Sequence, residues 1–189
     1  MIEIVFCGRG GQGAVTASQI LATAAFREGC YSQAFPSFGP DRRGAPVTAY
    51  ARVDEKVIVD RSPIVLADYV IVLDPNLFKM SNPVSSLKEY GCAIINSDKS
   101  PQTIFEELGR DKIQISVINA SMISEHVYGE TSIPITNVAM LGAFVSVSGI
   151  IRMNSILEAL SHYFSGGGLE KAKETARMAF EKMEGIKIR

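Results

Sequence analysis

Ile2-Glu3-Ile4-Val5-Phe6 runs into Gly8-Arg9-Gly10-Gly11-Gln12-Gly13, and the segment Ala14 to Glu28 follows with Val15, Ile20, Leu21, Ala24 and Ala25 at helical spacing. A short apolar run that ends in glycines reads as a buried strand. The periodic segment reads as a helix with one apolar face, stopped by Gly29. Strand, glycine turn and helix together are the opening unit of a layered α/β domain.

Further strands are expected at Tyr31 to Phe35, Val47 to Val53, Ala67 to Leu73, Cys92 to Asn96 and Ile113 to Asn119. Asp54-Glu55 turns the chain, and Lys56 to Asp60 is expected to return as a hairpin partner of Val47 to Val53, which brings antiparallel pairing into the sheet. Helices are expected after Asp74 toward Leu87, and at Ser121 to Tyr128, Thr136 to Ile151, Ser155 to Phe164 and Leu169 to Met183, with Gly166-Gly167-Gly168 as a hinge before the last. Strands alternating with helices predict a three-layer α/β/α fold with a mixed, mostly parallel sheet and an inserted β-hairpin. The 189 residues fit one domain over 1–189.

Composition excludes several classes. The 19 basic and 20 acidic side chains leave a net charge of -1, so the basic excess of a nucleic-acid or anionic-membrane binder is missing. Thr131 to Ile151 is uncharged, but its strongly apolar part, Val138 to Ile151, is shorter than the ~20 residues of a spanning helix; a helix buried on several sides is expected instead. Met1 to Phe6 has neither a basic lead nor a cleavage pattern, so no signal peptide is expected. Cys7, Cys30 and Cys92 form no CxxC and no Cys/His cluster. They are expected as small buried residues in a reducing cytoplasm, with no metal site.

Two loops carry the functional signal. Gly8, Gly10 and Gly13 satisfy GxGxxG between a strand and a helix, where bare backbone and a helix N-terminus favour an anion; the same glycines would also serve a merely tight turn. A dinucleotide site adds an acidic residue at the end of the second strand. Here Glu28 comes too early, and the second strand runs into Phe35-Pro36-Ser37-Phe38, which disfavours a nicotinamide enzyme. No Gly-Lys-Ser/Thr follows, so the run is not a P-loop. The second loop, Pro36 to Pro46, carries Arg42 and Arg43, a fork suited to a carboxylate or phosphate or to a protein partner; with Phe35 and Phe38 nearby the interface reading is favoured. His126, His162 and Ser37 lack the neighbours of a catalytic set. Asp74 at a strand end suits a catalytic role, but Asp74-Pro75-Asn76 also reads as a helix-entry turn; Asn137 suits a cap or a ligand contact, and the cap is favoured.

The ordered combination of Gly8 to Gly13 with Ala17-Ser18, Ser37-Phe38-Gly39, Arg42-Arg43-Gly44-Ala45-Pro46, Ala67-Asp68-Tyr69-Val70 and Asn137 to Gly142 resembles the gamma subunit of 2-oxoacid:ferredoxin oxidoreductases, the group that includes pyruvate synthase. The likeness spans essentially the whole chain. It implies a complex with alpha, beta and delta-type subunits that converts a 2-oxoacid, pyruvate first, with coenzyme A and ferredoxin to an acyl-CoA, carbon dioxide and reduced ferredoxin. It implies that thiamine diphosphate, magnesium and 4Fe–4S clusters sit on partner chains. That agrees with the absence here of a Gly-Asp-Gly run and of the four-cysteine sets that clusters need. The chain alone is then expected to be inactive and to bind none of these. The candidate binding set is Gly8, Gly10, Gly11, Gly13, Arg42 and Arg43, facing coenzyme A phosphates or partner subunits, with no catalytic residue assigned. Alternatives are a subunit of an indolepyruvate or 2-oxoglutarate oxidoreductase, or a stand-alone nucleotide-binding protein. Without its partners, a chain with so apolar a helix is expected to be prone to pairing with itself.

Overall fold

The computed structural model describes residues 1–37, 45–132 and 134–187, the stretch 184–187 by its backbone. β1 (Ile2–Arg9) leads into α1 (Ala14–Arg27), then β2 (Tyr31–Pro36), β3 (Pro46–Asp54) and β4 (Ala67–Val72). Two 3-10 turns, Pro75–Lys79 and Pro83–Ser86, precede β5 (Leu87–Asn96); α2 (Pro101–Leu108), β6 (Gln114–Ile118), α3 (Ala120–Tyr128), α4 (Asn137–Ser148), α5 (Met153–Ala159), a third 3-10 turn (Leu160–His162), α6 (Gly166–Glu181) and β7 (Glu184–Lys187) follow.

The seven strands form one sheet in the order β2-β3-β1-β4-β5-β6-β7. β1, β4, β5 and β6 pair in parallel, while β3 runs against both β1 and β2, and β7 against β6. β2 therefore points the same way as β1, and only β3 and β7 are reversed. The mixed, mostly parallel sheet matches the expectation.

Successive strand residues serve opposite faces. Ile4, Phe6, Ile71 and Ile94 join one core with α1, α3, α4, α5 and α6. Val5, Val70, Val72, Ala93 and Ile95 join another with Leu77, Val84 and Ile104. Both faces are covered, but unequally: α2 and the two 3-10 turns before β5 make up the thinner side. Burial on both faces is why the central strands read as continuous apolar runs. α4 is buried from Asn137 to Val145 on all sides, as its uncharged sequence suggests. Gly142 lets it cross α6 closely: a Cβ there would lie 2.1 Å from the Ala176 carbonyl oxygen.

Several expectations are corrected. Residues 57–60 form no strand. The antiparallel partners of β3 are β2 and β1, which occupy both of its edges, so no edge remains for a return strand. Val57 and Val59 are instead exposed. The helix expected after Asp74 is split into two 3-10 turns, because Pro83 cannot donate into a continuing helix. Gly166 to Gly168 are not a hinge; they form the first turn of α6. α2, capped by Ser100, and β7 were not expected.

Candidate functional site

After β1 the chain passes to α1 on one face of the sheet, and after β4 to the 3-10 turns on the other. β1 and β4 are neighbours and parallel. Between their carboxyl ends the chain thus departs in opposite directions, which opens the crevice where α/β sheets place ligands. The glycine loop lines this crevice.

The loop is braced by its own side chains. Gln12, 5% exposed, accepts from the Arg9 amide through Oε1 at 2.7 Å and donates through Nε2 to Asp74 Oδ2 at 2.7 Å. Arg9 Nε donates to the same Oδ2 at 2.5 Å. Asp74 Oδ1 accepts from the backbone and side-chain nitrogens of Asn76 at 2.8 and 3.0 Å. Asp74 is 3% exposed. Burial works to raise its pKa, but the bonds from Asn76, Arg9 and Gln12 outweigh it and hold the carboxyl below its ordinary value. Asp74 is therefore an ionised, fully engaged acceptor at neutral pH.

Backbone bonds complete the turn: Gln12 donates to the Arg9 carbonyl and Gly10 to the Ala45 carbonyl, each at 3.0 Å. The second bond ties the glycine loop to the flank of the other loop. The opposite flank is also anchored, Ser37 donating to the Thr48 carbonyl at 2.8 Å. Arg42 and Arg43 themselves lie outside the described residues. Gly8 leaves ordinary contact room toward Ala14 and Leu73, and Gly11 has φ +97°. Gly13 has φ +79°, and a Cβ there would meet Asn137 Nδ2 at 2.4 Å. Gly13 thus lets the start of α1 press against the start of α4. Asn137 is not the N-cap of α4, which is Thr136. Its Oδ1 accepts from the Val138 amide and its Nδ2 approaches the Gly13 carbonyl at 3.5 Å.

Since the amides of Arg9, Gly10 and Gln12 already have acceptors, an anion would meet chiefly Gly11, Gly13 and the first turn of α1 among the described residues. Asn96 extends the network along the edge, donating to the Leu73 carbonyl and the Ser121 hydroxyl and accepting from the Ala120 amide. Residue type alone did not reveal Gln12, Asp74 and Asn96 as one edge. The local hints were an amide side chain inside a glycine loop and polar residues at the carboxyl ends of two buried strands.

Among the described residues no group of three or more His, Cys, Asp or Glu is placed to hold a metal ion. Cys7 and Cys92 belong to the cores on opposite faces of the sheet, so they cannot share a cluster; the residues present do not fit iron–sulfur ligation. Burial pushes the Cys7 thiol up to about 12. His126 and His162 are exposed on the surface. No helix among the described residues is long and apolar enough to cross a membrane.

Fold and site thus define an α/β domain in which the buried side chains of Gln12 and Asp74 brace a glycine loop. The chain belongs to the pyruvate ferredoxin/flavodoxin oxidoreductase family, whose profile matches residues 3–182. It is 47% identical over 188 residues to the pyruvate/ketoisovalerate oxidoreductases common subunit gamma of Pyrococcus abyssi, covering 100% of both chains. It is 43% identical over 188 residues to the pyruvate synthase subunit PorC of Methanothermobacter thermautotrophicus, covering 100% of this chain and 99% of that one. The crystal structure of pyruvate oxidoreductase subunit PORC from Thermotoga maritima superposes with a TM-score of 0.84 at 32% identity, over 98% of each chain.

Proposed function

We propose that this chain is the gamma subunit of a multi-subunit 2-oxoacid:ferredoxin oxidoreductase that decarboxylates pyruvate oxidatively to acetyl-CoA. The observation that carries this is the likeness to a gamma subunit, 47% identity over 100% of this chain and 100% of the relative. In this reading thiamine diphosphate, magnesium and the 4Fe–4S clusters belong to alpha, beta and delta-type partner chains, ferredoxin takes the electrons, and the complex works in the cytoplasm. The gamma chain contributes assembly and one wall of the coenzyme A site. The amides of Gly11 and Gly13 before the N-terminus of α1, with Arg42 and Arg43 in the sequence between Ser37 and Ala45, whose carbonyl bonds Gly10, suit the phosphates of that substrate.

A tagged chain purified anaerobically from its native source should bring down thiamine- and cluster-bearing partners that reduce a viologen dye with pyruvate and coenzyme A. A chain that comes down alone overturns the reading. The Pyrococcus abyssi relative is described as common to two oxidoreductases, which favours a second reading in which one gamma chain serves two oxoacids. The same eluate assayed with pyruvate and with ketoisovalerate separates the two. In the intact complex, Arg42→Ala with Arg43→Ala should raise the KM for coenzyme A. An unchanged KM assigns the arginines to no part of that site.

A further inference from the structure

We propose that Asp74 is a positioning residue for the reaction of the complex: it touches no substrate, and acts by holding Gln12 and Arg9 so that the glycine loop keeps its ligand-facing shape. The inference rests on the reading of that loop as a wall of the coenzyme A site. The geometry is specific. One carboxylate oxygen takes two donors from the loop, Arg9 Nε and Gln12 Nε2, and the other takes two from Asn76. The link joins residues 62 and 65 positions apart in the chain. Gln12 passes the constraint on, because its Oε1 fixes the Arg9 amide within the turn. Arg9 is bonded to Asp74 through Nε, while its side chain remains 37% exposed. Its guanidinium is therefore aimed by a buried anion and still open to the crevice.

An asparagine cannot replace this group. All four bonds need an acceptor, and an amide would turn an NH2 toward two donors. In the reconstituted complex, Asp74→Asn should raise the KM for coenzyme A about tenfold or more, the scale of one charge-assisted hydrogen bond. Turnover and the KM for the 2-oxoacid should stay within about twofold. Asp74→Glu, which keeps the charge, should recover part of the loss. A role confined to stability would lower the melting temperature of the Asp74→Asn complex with no change in KM, and that result overturns the proposal. If Asp74→Asn does not assemble, Gln12→Met carries the test, with the same rise expected and an unchanged KM overturning it. The two readings fail differently. If the Arg42/Arg43 variant raises the KM and Asp74→Asn does not, the Asp74 proposal alone falls. If neither does, the coenzyme A reading falls with it.

Discussion

Replacing Gly13 by alanine should destabilise the chain by about 2–5 kcal/mol, and the contributions can be separated. Gly13 sits at φ +79° and ψ 29°, a conformation that costs an L side chain about 1–2 kcal/mol. The new Cβ would lie 2.4 Å from Asn137 Nδ2, where ordinary contact begins at 3.4 Å, so Asn137 must retreat by ~1 Å, the difference of the two distances. Asn137 is 4% exposed and accepts from the Val138 amide at 2.9 Å. Disturbing a buried bond of that kind costs about 1–3 kcal/mol. In an Asn137→Ala background the second cost disappears and only the backbone strain remains. Urea denaturation of the wild type, the two single variants and the double variant therefore measures the contact directly. A coupling of about 1–3 kcal/mol is expected. If Gly13→Ala costs the same in both backgrounds, the contact between the starts of α1 and α4 does not set this glycine, and the reasoning fails.

Two further outcomes follow from the same geometry. Gly142→Ala should lower the melting temperature by about 4–10 °C, because parting α4 from α6 costs more than the roughly 1 kcal/mol gained in helix propensity; a thermal melt showing equal or greater stability would contradict the close crossing at Ala176. The Asp74 carboxyl is held below its ordinary pKa, so its contribution is full above the unfolded value near ~4 and is lost as pH falls through the folded one. Asp74→Asn should therefore be less stable than wild type at neutral pH, with the gap closing in acid; a gap that stays constant between about pH 7 and about pH 3, measured by chemical denaturation, would show that the charge is not what stabilises the site.

Much of the site was legible as residue type and little of it as geometry. The glycine loop announces a tight strand-to-helix turn, and the structure has one. That Gln12 turns inward, and that its partner is Asp74 at the end of β4, does not follow from local composition. Asp-Pro-Asn reads as a turn from its own neighbours, and Asp74 does accept from Asn76 as such a turn requires. Its second oxygen serves a loop in another part of the chain.

What the amino-acid order determined by itself was the set of elements whose stabilising terms are short-range or compositional. The apolar run before Gly8, the helical period of α1 and the uncharged stretch of α4 each report burial through residues a few positions apart. Family membership is legible in the same way, as an ordered series of local motifs. The tertiary structure decided which strands are neighbours. Lys56 to Asp60 alternates much as a strand does, yet β3 had already paired on both edges, with β1 and β2. The tertiary structure also decided which distant side chains meet, as Gln12 meets Asp74 and Gly13 meets Asn137. Such pairings depend on which edges remain free and on whether distant contacts offset the entropy of closing long loops, and no window of a few residues contains that information.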